Sequence, residues 1–104
     1  MDKFLSALGL ARRAGKLAMG HDDVKHALRR GEARLIVFAS DASDRLTEEL
    51  TGLAGNTPVY GTRYTMDDFG QHLGRRFAAA AVTERGLAAL AEKALPGEQA
   101  AKED

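Results

Sequence analysis

The segment 33–40, ARLIVFAS, constrains the fold more than any other part of the chain. Its centre is apolar at five consecutive positions, LIVFA, without the alternation of a strand that has one face in water. A continuous apolar run of this kind is typical of a central strand that is covered on both faces. We therefore predict a strand between two layers of helices, in a single domain of 104 residues with a modest core.

Helical and strand patterns alternate along the rest of the sequence. Helices are predicted over residues 2–13 and 21–30, from the capping residues Asp41, Ser43 and Asp44 to 55–56, from the N-cap Thr65 to Gly74, and from near Glu84 to 96–97. Further strands are predicted over 16–19, 58–60 and 77–83. This alternation predicts a three-layer α/β/α sandwich around a small mixed four-stranded sheet, largely parallel where helices cross over.

Apolar residues at helical spacing predict which faces of the helices are buried. They are Phe4, Leu5, Leu8 and Ala11 in the first helix; Val24, Ala27 and Leu28 in the second; Leu46, Leu50 and Leu53 in the third; Met66, Phe69 and Leu73 in the fourth; and Leu87, Leu90, Ala91 and Ala94 in the last. Residues 1–97 are predicted to form the domain, and the polar segment 98–104 is predicted to be a flexible tail.

Composition and motifs exclude several classes of function. The chain has no cysteine, which excludes disulfides, zinc–thiolate sites and thiol catalysis. No apolar run approaches the length of a membrane span, and the amphipathic first residues do not form a signal peptide, so we expect a cytoplasmic protein. His21, His26 and His72 lack metal-ligand spacing, and the glycines match neither the GxGxxG nor the P-loop pattern. We expect no metal, no cofactor and no catalytic activity.

The charges are unevenly distributed although the formal net charge is zero. Residues 1–40 carry eight Lys or Arg against four Asp or Glu, a net charge of +4, and residues 41–104 carry seven against eleven, a net charge of −4. Such asymmetry predicts a basic binding face on a neutral protein. A mixed solvated surface would give the same counts, so charge alone leaves both interpretations open.

The helix after Gly20 is the main candidate binding element. A glycine turn followed by a helix N-terminus is suited to hold an anionic group. The alternative is an ordinary solvated face with supportive side-chain pairs. At 100° per residue, the side chains opposite the apolar stripe are Asp22, Lys25, His26, Arg29 and Arg30, with Asp23 at the edge.

Two further basic groups lie at helix ends. They are Arg12, Arg13 and Lys16 at the end of the first helix, and Arg75 and Arg76 directly after Gly74. One interpretation is that both groups hold phosphates beside the glycine turn. The other is that both groups stabilise helix C-termini, where positive charge is favourable.

Several ordered segments resemble one known family at matching separations. They are AGKLAMG at 14–20, the helix that ends at Arg30 and Gly31, ARLIVFAS at 33–40 followed by Asp41-Ala42-Ser43, PVY at 58–60, and FGQHLG at 69–74 followed by the AVT strand end. From Phe4 to about Leu95, the sequence resembles the ribosomal large-subunit family of kink-turn RNA-binding proteins, types seven-Ae and thirty-e, and within it the small bacterial YlxQ-like branch.

The resemblance implies a fold, a function and a site. It implies an α/β/α sandwich that binds RNA without catalysis, at a sharply bent internal loop with tandem sheared G·A pairs. We expect a monomer whose partners are a structured RNA, of kink-turn or rRNA-like type, and ribosomal or translation-associated proteins. The RNA-binding residues implied are Gly20, His21, Asp22, Asp23, Lys25, His26, Arg29 and Arg30, with Arg12, Arg13, Lys16, Arg75 and Arg76 as electrostatic support.

The sequence differs from the RNA-binding members directly after Gly20. Those members have one variable residue and then Asn-Glu or Lys-Gln, whereas this chain has His21 and then Asp22-Asp23, with His26 at the position of the family's lysine. Asp23 is able to accept hydrogen bonds from guanine N1 and N2, but Asp22 has no hydrogen to donate. Two alternatives stay open: a protein-interaction module with a weakened RNA surface, and the substrate-binding portion of an RNA-modifying enzyme.

Overall fold

A computed structural model of the chain describes residues 2–95, in which helices and strands alternate as the sequence predicts. The elements are α1 (Lys3–Arg13), β1 (Leu17–Met19), α2 (His21–Arg29), β2 (Leu35–Phe38), α3 (Asp44–Ala54), β3 (Val59–Gly61), α4 (Met66–Leu73), β4 (Ala79–Val82) and α5 (Arg85–Lys93). The predicted tail, 98–104, lies outside the described residues. Within the described range, none of the helices has the length and apolar character that crossing a membrane requires.

The four strands form one mixed sheet in the order β1-β4-β2-β3. β2 and β3 are parallel, and β4 lies between β1 and β2, antiparallel to both. The strands that α2 and α3 connect therefore point in one direction, whereas β4, which follows α4, points the other way, as a mixed sheet requires. The reason is topological. β3 ends and β4 begins beside Phe38, so the segment that contains α4 starts and ends at the same end of the sheet.

Both faces of β2 are covered, which confirms the prediction for the segment 33–40. All four of its residues are buried. Leu35 and Val37 belong to a core with α1, α4 and α5, whereas Ile36 and Phe38 belong to a second core with α2 and α3. Because successive residues of a strand point to opposite faces, one strand supplies the centre of two cores. The result is the predicted three-layer α/β/α sandwich.

A row of four aromatic rings lies in the core between the sheet, α1 and α4. Phe4 stacks on Tyr64 with ring centroids 5.6 Å apart, and Phe69 stacks on Phe77 at 4.6 Å. Tyr64 and Phe69 join the two pairs at 5.9 Å. Each such pair adds about 0.5–1.5 kcal/mol beyond the burial of its area. The row ties α1 and α4 to the segment that leads into β4.

Two leucines predicted in the core are exposed. Leu53 of α3 is 42% exposed and Leu90 of α5 is 46% exposed. In α3 the buried positions are Leu50 and Ala54, and at 100° per residue Leu53 lies on the side of Leu50 away from Ala54, beyond the buried arc. α5 instead buries two alanines and packs against α1. Small side chains allow this close approach of the helices, and the larger leucine is left outside.

A hydrogen bond joins the start of α1 to the aromatic row. The Tyr64 hydroxyl donates to Asp2 Oδ2, and the Leu5 backbone N–H donates to Asp2 Oδ1 at 2.9 Å. Burial raises the pKa of Asp2, but these hydrogen bonds outweigh it and hold the pKa below its ordinary value of 3.8. Burial and the hydrogen bond to Asp2 raise the pKa of the Tyr64 hydroxyl. The carboxylate form of Asp2 therefore stabilises the fold.

Acid should destabilise the protein partly through Asp2. A carboxylate with a lowered folded pKa stabilises the fold above its unfolded pKa, and this contribution is lost as the pH falls through the folded pKa. Tyr64→Phe removes the hydroxyl and keeps the ring, so the loss of stability below pH 3.8 should become shallower. Urea unfolding from neutral to acidic pH measures this slope. An identical pH dependence in both proteins would show that the hydrogen bond does not set the pKa of Asp2.

Candidate nucleic-acid interface

The chain turns at Gly20 from the edge strand β1 directly into α2. Gly20 has φ 101° and ψ 166°, a backbone conformation essentially restricted to glycine. Its N–H donates to the Ala79 carbonyl at 2.8 Å, at the start of β4. The turn is therefore fixed at one end of the sheet, and α2 starts from a defined position.

α2 begins without a side-chain cap, unlike the other four helices of residues 2–95. Those helices are capped by the side-chain oxygens of Asp2, Ser43, Thr65 and Glu84, each of which accepts from a backbone N–H three residues later. Gly20 has no side chain to do this, so the N–H groups of the first turn of α2 are left for an external acceptor. The positive end of the helix dipole adds to the preference for an anion.

An arginine of the loop after α4 lies beside this helix start, and an arginine of α1 lies against that loop. A Cβ placed on Gly20 would lie 3.8 Å from Nη2 of Arg75, so this guanidinium reaches the glycine turn. A Cβ placed on Gly74 would lie 3.8 Å from Nη2 of Arg12. Gly74 and Arg75 are neighbours in the chain, so Arg12 of α1 lies against the same loop that brings the Arg75 guanidinium to the start of α2. Guanidinium groups bind phosphate with strong, charge-assisted hydrogen bonds.

The other basic side chains predicted as electrostatic support lie elsewhere. Arg76 Nε donates to Asp67 Oδ1 at 2.7 Å, on the exposed side of α4. Arg13 lines a cavity of about 650 Å³ between α1 and α4. Lys16 lies at the far end of β1, where its charge acts on Glu84. The contacts of these three cations are therefore with other parts of the protein than the start of α2.

α2 presents two regions, its start and its far end. Asp23, His26 and Arg30 border a cavity of about 380 Å³ beside β1. Asp22 and Arg29 are exposed on the outer face, and the Asp22 side chain is 91% exposed. At 1.5 Å per residue, Arg29 and Arg30 lie roughly 12–15 Å along the helix axis from the start of α2. An RNA that contacts both regions would have to follow the length of the helix.

Glu49 of α3 bridges the first two turns of α2. One carboxylate oxygen lies 2.9 Å from Nε2 of His21, and the other lies 2.8 Å from Nζ of Lys25. The hydrogen bond from Lys25, with a smaller effect of His21, holds the pKa of Glu49 below its ordinary value although desolvation opposes this. The carboxylate is therefore ionised at neutral pH, and it contacts two of the side chains predicted to bind RNA.

Sequence reasoning does not reveal Glu49 as part of this site. The residue is one of two adjacent glutamates in α3, and its spacing alone matches an ordinary solvated helix face. Only the packing of α2 and α3 on the same side of the sheet brings its carboxylate to Lys25. The usable signal is topological: helices that follow consecutive strands on one face lie side by side, so their facing charges are candidates for contact.

The three histidines lie apart from one another. His21 contacts Glu49, His26 borders the cavity beside β1, and His72 borders the cavity between α1 and α4. Throughout residues 2–95, no group of three or more His, Asp or Glu side chains is placed to hold a metal ion. The chemistry offered by this site is that of charge and hydrogen bonding at the start of a helix.

Fold and site together define a class of protein: a small α/β/α sandwich in which a glycine-started, uncapped helix meets an arginine of a neighbouring loop at one end of the sheet. The sequence profile of the ribosomal protein L7Ae/L30e/S12e/Gadd45 family matches residues 2–91 of the chain. The chain belongs to this family, which confirms the resemblance seen in its ordered segments.

Individual relatives agree with this membership. The large ribosomal subunit protein eL30 of Methanothrix thermoacetophila is 37% identical over 83 residues, which cover 77% of this chain and 78% of that protein. A protein with unknown function from Bacillus halodurans has a similar structure, with a TM-score of 0.78 and 28% identity, over 88% of this chain and 99% of that chain. The 15.5 kD RNA-binding protein of Giardia lamblia shares the fold, with a TM-score of 0.69 and 16% identity, over 88% and 84% of the two chains.

Replacing Gly20 by alanine should destabilise the protein. Alanine at position 20 would have to keep a backbone φ of 101°, which residues with a Cβ rarely adopt. This strain should cost about 1–3 kcal/mol. Gly52→Ala is the matched control, because Gly52 lies inside α3 with no atom within 4 Å of its added Cβ. That replacement should stabilise the protein by about 0.5–1 kcal/mol. Urea unfolding measures both changes, and equal signs would contradict the conformation assigned to Gly20.

Proposed function

We propose that the protein is a non-catalytic RNA-binding protein of the ribosome or the translation apparatus, and that it grips a structured RNA at the start of α2. The observation that carries the proposal is the uncapped N-terminus of α2 with Arg75 beside it, and with Arg12 of α1 reaching Gly74, the neighbour of Arg75. Backbone N–H groups at a helix start and guanidinium groups are the donors with which proteins hold nucleic-acid phosphates.

The family relatives support RNA as the source of these phosphates. The eL30 relative is a protein of the large ribosomal subunit, and the Giardia lamblia protein with the same fold is an RNA-binding protein. The family profile spans residues 2–91 and therefore every residue of the start of α2 and of the two arginines. We infer that the bound RNA is of kink-turn or rRNA-like type.

The acidic residues after Gly20 suit contact with base edges. Asp22 is almost fully exposed beside the helix start, and Asp23 lies on the side that faces the cavity. A carboxylate only accepts hydrogen bonds, and guanine N1 and N2 donate them. We infer that Asp23 accepts from a guanine while Arg75 and the N–H groups of α2 hold the neighbouring phosphates.

We further infer that residues 1–97 act as one RNA-binding domain, as a monomer in the cytoplasm, with ribosomal or translation-associated proteins as its protein partners. One sheet and the two cores on its faces join all the elements of residues 2–95, which supports a single unit. The eL30 relative, a component of a ribosomal subunit, supports the location and the partners.

A kink-turn RNA should bind in a salt-dependent way. The probe is a fluorescein-labelled stem with tandem sheared G·A pairs, and its control is the same stem with these pairs changed to Watson–Crick pairs. Anisotropy titrations should show tighter binding of the kink-turn stem, and binding that weakens steeply as salt rises because phosphate contacts release counterions. No binding of the kink-turn stem at low salt would refute the proposed function.

Arg75 and Arg76 form a matched pair for locating the RNA. Arg75→Ala should weaken binding of the kink-turn stem and reduce the slope of log affinity against log salt by about 1, because one phosphate contact is lost. Arg76→Ala should change this slope far less, since Arg76 is paired with Asp67 on α4. Equal effects of the two replacements, measured by the same titrations, would contradict RNA binding at Gly20.

A further inference from the structure

Within residues 2–95, Glu49 of α3 is the acid that another helix pairs with the start of α2. Both of its carboxylate oxygens are engaged, one with His21 at 2.9 Å and one with Lys25 at 2.8 Å. The side chains are partly exposed, at 38% for Glu49, 40% for His21 and 26% for Lys25. Ion pairs as accessible to water as these contribute little to the stability of a fold. Their larger effect is on the electrostatic potential at the surface.

The charges around the start of α2 are mixed instead of uniformly basic. Arg75 and Lys25 lie near three carboxylates, those of Asp22, Asp23 and Glu49. Removal of a single acid therefore makes the local charge more positive by one. Among the three acids, Glu49 is the one whose carboxylate directly contacts the ammonium group of Lys25.

The contact with Glu49 limits what Lys25 offers to an anion. An ammonium group has three hydrogens, so Lys25 keeps donors for a second acceptor. Its charge, however, is already compensated by a carboxylate 2.8 Å away, and that carboxylate repels any phosphate that approaches the same ammonium group. A phosphate gains the full charge of Lys25 only if it displaces Glu49.

We propose that Glu49 is an intramolecular counter-charge that competes with RNA phosphate for Lys25 and His21, and thereby limits the affinity of the start of α2 for RNA. The inference rests on the proposed function, since RNA phosphate is the competing anion. An RNA with a phosphate held firmly over the start of α2 displaces Glu49, whereas a regular duplex places no phosphate well enough to do so. Glu49 therefore raises selectivity at the expense of affinity, by a repulsive element directed against the wrong RNA.

Glu49→Gln tests this role, because it removes the charge and keeps the size of the side chain and an oxygen acceptor. The same kink-turn stem and Watson–Crick-paired control are titrated at several salt concentrations. The variant should bind the kink-turn stem about fivefold more tightly at low salt, because one repulsive charge is gone. The salt slope should steepen by about 1, because Lys25 then neutralises a phosphate. The preference for the kink-turn stem over the control should shrink.

Two controls separate this effect from general electrostatics and from folding. Glu48→Gln removes the same charge from the exposed neighbour in α3, which takes part in no ion pair among the described residues, and it should leave the salt slope unchanged. In a Lys25→Ala background, Glu49→Gln should no longer steepen the slope, because the lysine that it releases is absent. The melting temperature of Glu49→Gln should match that of the wild type.

The possible outcomes distinguish the two proposals. Weaker binding by Glu49→Gln would show that Glu49 positions Lys25 and His21 for RNA, and this would overturn the counter-charge role. Binding by the wild type with an unchanged slope in the variant would overturn the counter-charge role alone. Absence of binding to either stem by both proteins at low salt would refute the proposed function, and the counter-charge role with it.

Discussion

Burial of β2 on both faces is the constraint on which the rest of the structure depends. Its backbone pairs with β3 on one side and β4 on the other, and its side chains need a helical layer above and below. α2 and α3 form one of these layers, where Val24 and Ala27 anchor α2 on Ile36 and Phe38. Because packing on the sheet fixes α2 in place, the side chains of its first turn and outer face do not have to pack in the core. They carry the charges and free donors from which we infer function.

The helix caps show the same separation of stability from function. A side-chain cap stabilises a helix by about 1 kcal/mol, and α1, α3, α4 and α5 each have one. α2 starts at a glycine and lacks this stabilisation, yet its two core residues hold it in place. A local rule that is kept in four helices and broken in the fifth marks the place where another requirement applies. In this chain that place is also where Arg75, from a distant segment, reaches the Gly20 turn.

The sequence predicts the fold better than the site, for a physical reason. Apolar periodicity and capping residues are local signals, so the helices, the strands and the sandwich can be predicted from the sequence. The exposure of Leu53 and Leu90 depends instead on which arc of each helix is buried against the rest of the protein. The candidate site residues directly after Gly20 are contiguous, so the sequence alone identifies them as candidates. Three further contacts could not be predicted in this way, because each joins side chains of different helices or loops. They are Arg75 with the Gly20 turn, Arg76 with Asp67, and Glu49 with Lys25.

The position of β4 has a consequence for how the protein matures during synthesis. β4 is the last strand of residues 2–95 to be made, yet it lies inside the sheet between β1 and β2. β2 and β3 are able to pair as soon as both have left the ribosome, whereas β1 waits for β4, and the Gly20 N–H waits for the Ala79 carbonyl. Pairings between such distant segments form late because the loop between them is long. The hydrogen bond that fixes the Gly20 turn is thus missing from any unfinished chain that ends before Ala79, although α2 itself is already complete.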